Sequence, residues 1–299
     1  MAAELAFLFP GQGSQTPGMG RDLADDAATR PYFEQAAEAV DGLLEVMFEG
    51  PADRLSQTRY AQVALLTVGV AASEALKRRG VGPTVCAGHS LGEFTALVCA
   101  GALTFEDGLA LVELRGRCMS ESVPEGAMAA VMGLDPEAIE AALPEGAQVA
   151  NYNGPQQTII SGSREAVAAA EGALKAAGAK RVMPLPVSGP FHSPLMREAA
   201  ARFREAVMAA ALKAPACAFV SSVSGERVGD AETIRALLAD QITSPVRWTS
   251  VMRTLGPVAA LEVGPGRVLQ GIARRMDGGP VVRSAGTVAD IEGVCAASA

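Results

Sequence analysis

The sequence predicts an α/β fold in which a mostly parallel sheet is covered on both faces by helices and a smaller unit with its own sheet is inserted. Three observations predict it. Short apolar runs end in glycine-rich loops before helical patterns, as at residues 5–9, 84–87 and 258–263. Between residues 127 and 186 the order changes to strand, helix, strand, strand, helix, strand. The 299 residues are 49% hydrophobic and 19% charged, which suits a compact chain with a sizeable core.

Taken in order, the run Leu5-Ala6-Phe7-Leu8-Phe9 is a short strand stopped by Pro10-Gly11-Gln12-Gly13. Helical patterns follow over 31–48 and 62–79. A strand over 84–87 runs into Gly88-His89-Ser90-Leu91-Gly92, and a helix pattern begins at once. Strands that read as continuous apolar runs, alternating with helices, belong to a parallel sheet buried on both faces. After Pro124-Glu125-Gly126 the second pattern begins: strand 127–133, helix 136–143, strand 148–152, strand 158–161, helix 164–177 closed by Gly178, and strand 181–186. That order is the split βαβ of a ferredoxin-like subdomain. We expect it to wall one side of a cleft, since pockets favour junctions between units. From Gly189 the main pattern resumes, with helix 194–212, strand 218–222, strand 258–263 ended by Gly264-Pro265-Gly266, and helix 268–276. The expected division is 1–126 with 189–299 for the large subdomain and 127–188 for the small one.

Charge and cysteine usage narrow the function. A formal net charge of −8 argues against nucleic acid or an anionic membrane as the main partner. Met1 to Glu4 offers no basic region before the first apolar run, and the longest uncharged apolar stretch, 60–73, is too short for a bilayer. Cys86, Cys99, Cys118, Cys217 and Cys295 are scattered and odd in number, without a C-x-x-C pair, and only two histidines are present. Neither a zinc site nor a disulfide framework is expected; a reducing cytoplasm is the natural compartment.

Gly88-His89-Ser90-Leu91-Gly92 matches G-x-S-x-G, the nucleophile elbow, and its strand-before, helix-after context is the confirming one. A plain turn capped by Ser90 would leave the two glycines unexplained. A serine hydroxyl needs a base. His89 is adjacent and on a tight turn would point away. The other histidine is His192, in Ser188-Gly189-Pro190-Phe191-His192-Ser193-Pro194, where flanking prolines fix the backbone. If a histidine activates Ser90, elimination leaves His192. Of the two oxyanion donors such a site needs, the Leu91 N–H is one by geometry; the Pro10–Gly13 loop suits the other. That loop fails as a dinucleotide fingerprint, because Thr16 stands where a third glycine is required.

Five stretches then carry a resemblance: Phe9-Pro10-Gly11-Gln12-Gly13-Ser14-Gln15, Gly88-His89-Ser90-Leu91-Gly92-Glu93, Leu114-Arg115-Gly116, Gly189-Pro190-Phe191-His192-Ser193 and Glu262-Val263-Gly264-Pro265-Gly266. In this order and spacing they resemble the malonyl-CoA:acyl carrier protein transacylases and their polyketide synthase relatives, over essentially the whole chain. The resemblance implies an α/β-hydrolase-like large subdomain with an inserted ferredoxin-like small subdomain. It implies Ser90 as nucleophile, His192 as base, backbone N–H groups of Gln12 and Leu91 as oxyanion donors, and Arg115 as the ligand of the substrate carboxylate. Periodicity alone leaves Arg115, one turn after Leu111, open to a snorkelling surface role, and does not favour it over Arg117. Gln62 matches a glutamine near the family's site, although Val63 replaces the usual proline, and His89, Phe191 and Arg247 are further candidates for lining it. Phe191 looks like the malonyl-selective form of its loop.

No Asp or Glu stands out as the partner of His192. The resemblance implies a main-chain oxygen from Ser244-Pro245-Val246-Arg247-Trp248 in that place, which an Arg at 247, where the family can have Gln, would tolerate. The implied partners are malonyl-CoA and acyl carrier protein, with no metal or organic cofactor; a monomer is the default. A discrete acyltransferase serving a polyketide synthase, a serine thioesterase or hydrolase, and a non-catalytic module with the same fold are the alternatives. Arg181, Arg197, Arg202, Arg204, Arg274 and Arg275 are candidates for a basic patch facing an acidic carrier, although most read as ordinary solvated charges.

Overall fold

The computed structural model describes residues 4–121, 123–187 and 189–297. The chain begins with β1 (Leu5–Phe9), and short helices α1 (Arg21–Asp25), α2 (Arg30–Ala39), α3 (Leu43–Glu49) and α4 (Ala52–Leu55) lead to the long α5 (Thr58–Arg78). The helix expected over 31–48 is two helices. Gly42 sits at φ 70, a left-handed conformation that ends one helix axis and starts another. Then come β2 (Val85–Gly88), α6 (Gly92–Cys99) and α7 (Phe105–Glu121).

The inserted unit is β3 (Ala127–Met132), α8 (Pro136–Ala142), β4 (Ala147–Gly154), β5 (Gln157–Gly162), α9 (Arg164–Ala176) and β6 (Arg181–Pro184). Ser163 caps α9 by accepting from the Ala166 N–H. A single 3-10 turn at Pro194–Met196 precedes α10 (Arg197–Ala209), followed by β7 (Ala218–Val220), α11 (Ala231–Asp240), α12 (Trp248–Leu255), β8 (Ala259–Glu262), α13 (Val268–Ala273), β9 (Val281–Ser284) and α14 (Val288–Ala296). Helices α11, α12 and α14 and the edge strand β9 lie where the sequence pattern raises no expectation.

The large sheet runs β7-β2-β1-β8-β9, and every pairing is parallel. Alternation along its strands assigns the two faces. Phe7, Phe9, Cys86 and Leu261 join the core formed with α5, α6, α7 and α10. Ala6, Leu8, Val85, Ala87 and Ala260 face Trp248, Val251 and Met252 of α12 and Leu269 and Ile272 of α13. Both faces are dry, which is why the strands read as unbroken apolar runs.

The small sheet has the order β4-β5-β3-β6 with antiparallel pairings, the ferredoxin-like arrangement. Ala129, Val131 and Ile160 pack under Ile139 of α8 and Val167 and Leu174 of α9. Their neighbours Met128, Ala130 and Ile159 point the other way, into the main core. A parallel bridge from Asn151 to Val246 ties the two units together. Among the described residues no helix is long and apolar enough to cross a membrane.

Candidate active site

The Gly88–Gly92 turn lies between β2 and α6, and its strain is concentrated on the serine. Ser90 has φ 51; only His192, at φ 56, shares a left-handed conformation among the described non-glycine residues. Such a backbone costs of order 1 kcal/mol or more and persists where its surroundings enforce it. The glycines do the enforcing through close approach. A Cβ on Gly92 would stand 2.1 Å from the Phe9 carbonyl oxygen, and one on Gly88 would stand 1.9 Å from the Gly92 carbonyl carbon. Ser90 does not cap α6: the N-cap is Leu91, with no side-chain bond. Its hydroxyl is free to face the cleft.

His192 Nε2 lies 2.8 Å from Ser90 Oγ. His192 Nδ1 faces two main-chain oxygens, Ser244 O at 2.9 Å and Gln241 O at 3.1 Å. Two acceptors fix Nδ1 as the protonated nitrogen and leave Nε2 to accept from the serine. The loop is braced by Ser193, whose hydroxyl donates to Pro190 O and accepts from the Leu195 N–H. Burial, and next the Arg115 charge, push the His192 imidazole down to about 3, against the two carbonyls that favour its charged form. It is neutral at physiological pH and able to take a proton.

His89 points away from Ser90. Its Nε2 meets Asn153 Oδ1 of β4 at 2.8 Å, and its ring leans on Trp248. Burial lowers its pKa as well. This contact joins the elbow to the small sheet.

Arg115, on α7, is 1% exposed, whereas Arg117 two residues on is exposed and paired with Glu113 at 2.9 Å. The two point about 200° apart on α7, and Arg115 shares the buried side with Leu111, Val112, Cys118 and Met119; Gly116 lies on the helix contact. A Cβ there would come 3.2 Å from Arg59 Cα, so α7 lies tightly on α5 and carries Arg115 into the interior. Its Nη1 donates to Gln62 Oε1 at 2.8 Å and its Nη2 to Ser90 Oγ at 3.1 Å, with the guanidinium over the Phe94 ring at 5.8 Å. Nε has no acceptor among the described residues. Burial lowers the guanidinium pKa to about 10, opposed by Glu93, so the group stays a cation.

These groups open onto a cavity of about 350 Å³, lined also by Gln12, Leu91 and Phe191 from the large unit and by Met128, Asn151 and Ile159 from the small one. Among the described residues the N–H groups of Gln12 and Leu91 have no protein acceptor. Two expected lining residues stand elsewhere. Gln62 is fully buried behind Arg115 and does not line the cavity; its Oε1 accepts from Arg115 and its Nε2 donates to Met119 Sδ at 3.4 Å. Arg247 is exposed with its guanidinium over Tyr152; its backbone N–H is used, donating to Ser222 O. Of the basic-patch candidates, Arg202 and Arg204 are paired with Glu121 and Asp240.

Sequence reasoning missed Gln241 and assigned no role to Glu93. Gln241 supplies the second acceptor for His192, and its side chain reaches Ser90 O and Glu93. No local pattern marks it; a buried glutamine after a short helix is found only through its contacts.

A family model described as an acyl transferase domain matches residues 6–289. The malonyl CoA-acyl carrier protein transacylase of Bacillus subtilis is 42% identical over 288 residues, covering 92% of this chain and 91% of that protein. Its counterpart in Escherichia coli K12 is 44% identical over 289 residues, covering 91% and 93%. Among solved structures, the acyl-carrier-protein S-malonyltransferase from Bartonella henselae superposes with a TM-score of 0.93 at 38% identity, over 98% of this chain and 99% of that one. A malonyl transacylase solved in complex with a type II polyketide synthase acyl carrier protein gives 0.92 at 38% identity, over 99% and 100%. The chain belongs to the acyl transferase family, among its malonyl-CoA:acyl carrier protein transacylases.

Proposed function

We propose that the protein moves a malonyl group from malonyl-CoA to the phosphopantetheine thiol of acyl carrier protein through a malonyl ester on Ser90, in fatty-acid synthesis. The observation that carries this reading is a buried arginine 3.1 Å from a nucleophile that is itself paired with a neutral histidine. A cation held from behind by Gln62 suits a substrate that brings its own carboxylate, and a planar guanidinium suits it better than an ammonium. A lipase-like pocket has no use for such a charge, which counts against a simple hydrolase.

In the first half-reaction the malonyl carboxylate docks on Arg115, displacing its bond to Ser90 Oγ. Ser90 attacks the thioester carbonyl as His192 Nε2 takes its proton, and the imidazolium is held by the oxygens of Ser244 and Gln241. The oxyanion forms against the Gln12 and Leu91 N–H groups. The tetrahedral intermediate collapses, the proton passes to the leaving CoA thiolate, and malonyl-Ser90 remains. In the second half the carrier thiol attacks that ester, His192 takes its proton, and Ser90 leaves as the alcohol. Phe191 narrows the cavity beside His192 and favours malonyl over branched acyl groups.

We take residues 1–126 and 189–299 as the catalytic unit and 127–188 as the wall. The first described residue after the latter is Gly189, since Ser188 lies outside the described residues. A monomer is the default, and the five free cysteines suit the cytoplasm. The test is incubation with radiolabelled malonyl-CoA: wild type retains label after denaturation and Ser90→Ala does not. Label persisting in Ser90→Ala would refute the assignment. A panel of fatty-acid and polyketide carrier proteins, with hydrolysis measured alongside, decides which acceptor collects the group.

A further inference from the structure

The active site holds a fully buried carboxylate that the acyl-transfer steps leave unused. Glu93, at the start of α6, is 1% exposed. Its Oε1 accepts from the Ser222 N–H at 3.2 Å, and its Oε2 accepts from the Ser222 hydroxyl at 2.7 Å and from Gln241 Nε2 at 2.6 Å. Every one of these partners donates, so the network is built for the ionised form. Gln241 Nε2 also donates to the Ser90 carbonyl at 3.1 Å, and that carbonyl takes a second bond from the Glu93 N–H at 3.0 Å. The reverse orientation of the Gln241 amide would set oxygen against oxygen at both contacts. The main-chain oxygen of the same Gln241 faces His192 Nδ1. One residue thus grips the strained nucleophile with its side chain and the base with its backbone, and Glu93 fixes that residue.

We propose that Glu93 is a positioning residue for acyl transfer: its carboxylate locks Gln241, and through Gln241 it keeps the Ser90 elbow and the His192 ring in register. The site has a carboxylate after all, placed one residue further from the histidine than in a Ser-His-Asp arrangement and acting through an amide. The inference rests on the reading of Ser90 as the acylated residue. The titratable and charged groups around the network are Arg115 on α7, His192 on its loop and His89 at the elbow. Burial pushes the Glu93 carboxyl above its ordinary 4.5, opposed by hydrogen bonding from the Ser221, Ser222 and Gln241 side chains and the Ser222 N–H. Protonation would turn an acceptor towards three donors into a competing donor and loosen Gln241.

The experiment is single-turnover acylation by the malonyl thioester of N-acetylcysteamine, which carries no phosphate to titrate, in wild type, Glu93→Gln, Gln241→Met and the double variant. In Glu93→Gln an amide replaces one acceptor with a donor facing donors, at constant volume. Its acylation rate constant is expected to fall by about tenfold to a hundredfold, as for a misplacement of catalytic groups, with half-saturation changed less than about threefold. The double variant should be no slower than the slower single one, since both break the same link. Wild type should lose rate on acidification along a limb centred above 4.5, and Glu93→Gln should lack that limb. Equal rates and equal limbs in wild type and Glu93→Gln would overturn the proposal, as would additive losses. If Glu93→Gln fails to fold, the wild-type profile still decides: a rate level down to pH 4.5 overturns the proposal. Absence of any acylation in wild type would instead sink the reading of Ser90.

Discussion

In the five-stranded parallel sheet the strands are sealed on both faces, and the turn after β2 carries Ser90, while Arg115 projects from α7 and His192 from the segment that leads out of β6. In the four-stranded antiparallel sheet it is the strand faces that meet the cavity, with Met128 and Ile159 in its wall and their neighbours Ala129 and Ile160 under α8 and α9. Strained backbone follows the same division. Among the described residues, both left-handed non-glycine positions, Ser90 and His192, belong to the larger unit. A parallel sheet sends its successive loops to one end, where groups distant in sequence converge, while an antiparallel sheet offers a flat face. The difference teaches which changes should be all-or-none and which graded.

The sharpest break concerns glycines. Gly92→Ala would drive a Cβ to 2.1 Å from the Phe9 carbonyl, backbone against backbone, with no flexible atom to give way. Loss of about 3 kcal/mol or more, or of soluble protein altogether, is expected in thermal and chemical denaturation. Gly154→Ala in β4 meets only a side-chain methyl of Ile272 at 3.7 Å and should cost less than about 1 kcal/mol. Equal losses in the two variants would erase the contrast.

Next in size is Arg115→Ala. Removing a buried cation from a paired carboxylate costs about 2–5 kcal/mol, so malonyl-CoA acylation should fall by about thirtyfold or more. Acetyl-CoA, which has no carboxylate to place, should lose far less, and the ratio of the two rates is the quantity to measure. A uniform loss for both substrates would mean that Arg115 serves the serine and not the acyl group.

Acid stability sharpens the picture of the larger unit, where two buried groups pull in opposite directions. The folded His192 imidazole is depressed from 6.5 to about 3, so between those values the unfolded chain binds a proton that the folded chain refuses. Stability therefore falls as pH drops through that window, by up to about 1.4 kcal/mol per pH unit. Glu93, raised in the folded state, works in the opposite direction and returns part of the loss below its own midpoint. A His192→Gln variant should show a shallower fall in Tm between pH 6.5 and 4. An unchanged slope would place the acid sensitivity elsewhere.

The same contrast explains what the sequence made legible. The elbow is local: two glycines, a serine and a strand before it lie within a few residues. His192 is legible through scarcity, because only two histidines exist and one is adjacent to the serine. Arg115 and Arg117 point about 200° apart on α7, and only Arg115 shares the buried side with Leu111, Val112, Cys118 and Met119, while Gly116 lets α7 close on α5. The orienting oxygen was expected within 244–248, and Ser244 supplies it, but the Gln241 oxygen beside it was not foreseen. Glu93 reaches Gln241 across 148 positions and Ser222 across 129. Buried polar networks of that span are invisible to any window along the chain, because each member looks like a surface residue until its partners are known.

The smallest expected effect tests the wall. Ile159 is 7% exposed, faces the cavity from β5 and touches neither Ser90, His192 nor Arg115 by hydrogen bond. Ile159→Ala removes apolar bulk next to space that already exists, so the stability loss should lie near the low end of large-to-small changes, about 2 kcal/mol. The reacting groups stand on other elements, and malonyl-CoA turnover should change by less than about threefold. The added room should instead be felt by a branched acyl group, since one methyl in a shaped pocket is worth about 1–3 kcal/mol. The kcat/KM for methylmalonyl-CoA relative to malonyl-CoA is therefore expected to rise by up to about tenfold. If malonyl turnover itself collapsed, the wall would have to be holding the elbow in place, and the link from His89 to Asn153 is the contact through which it would do so.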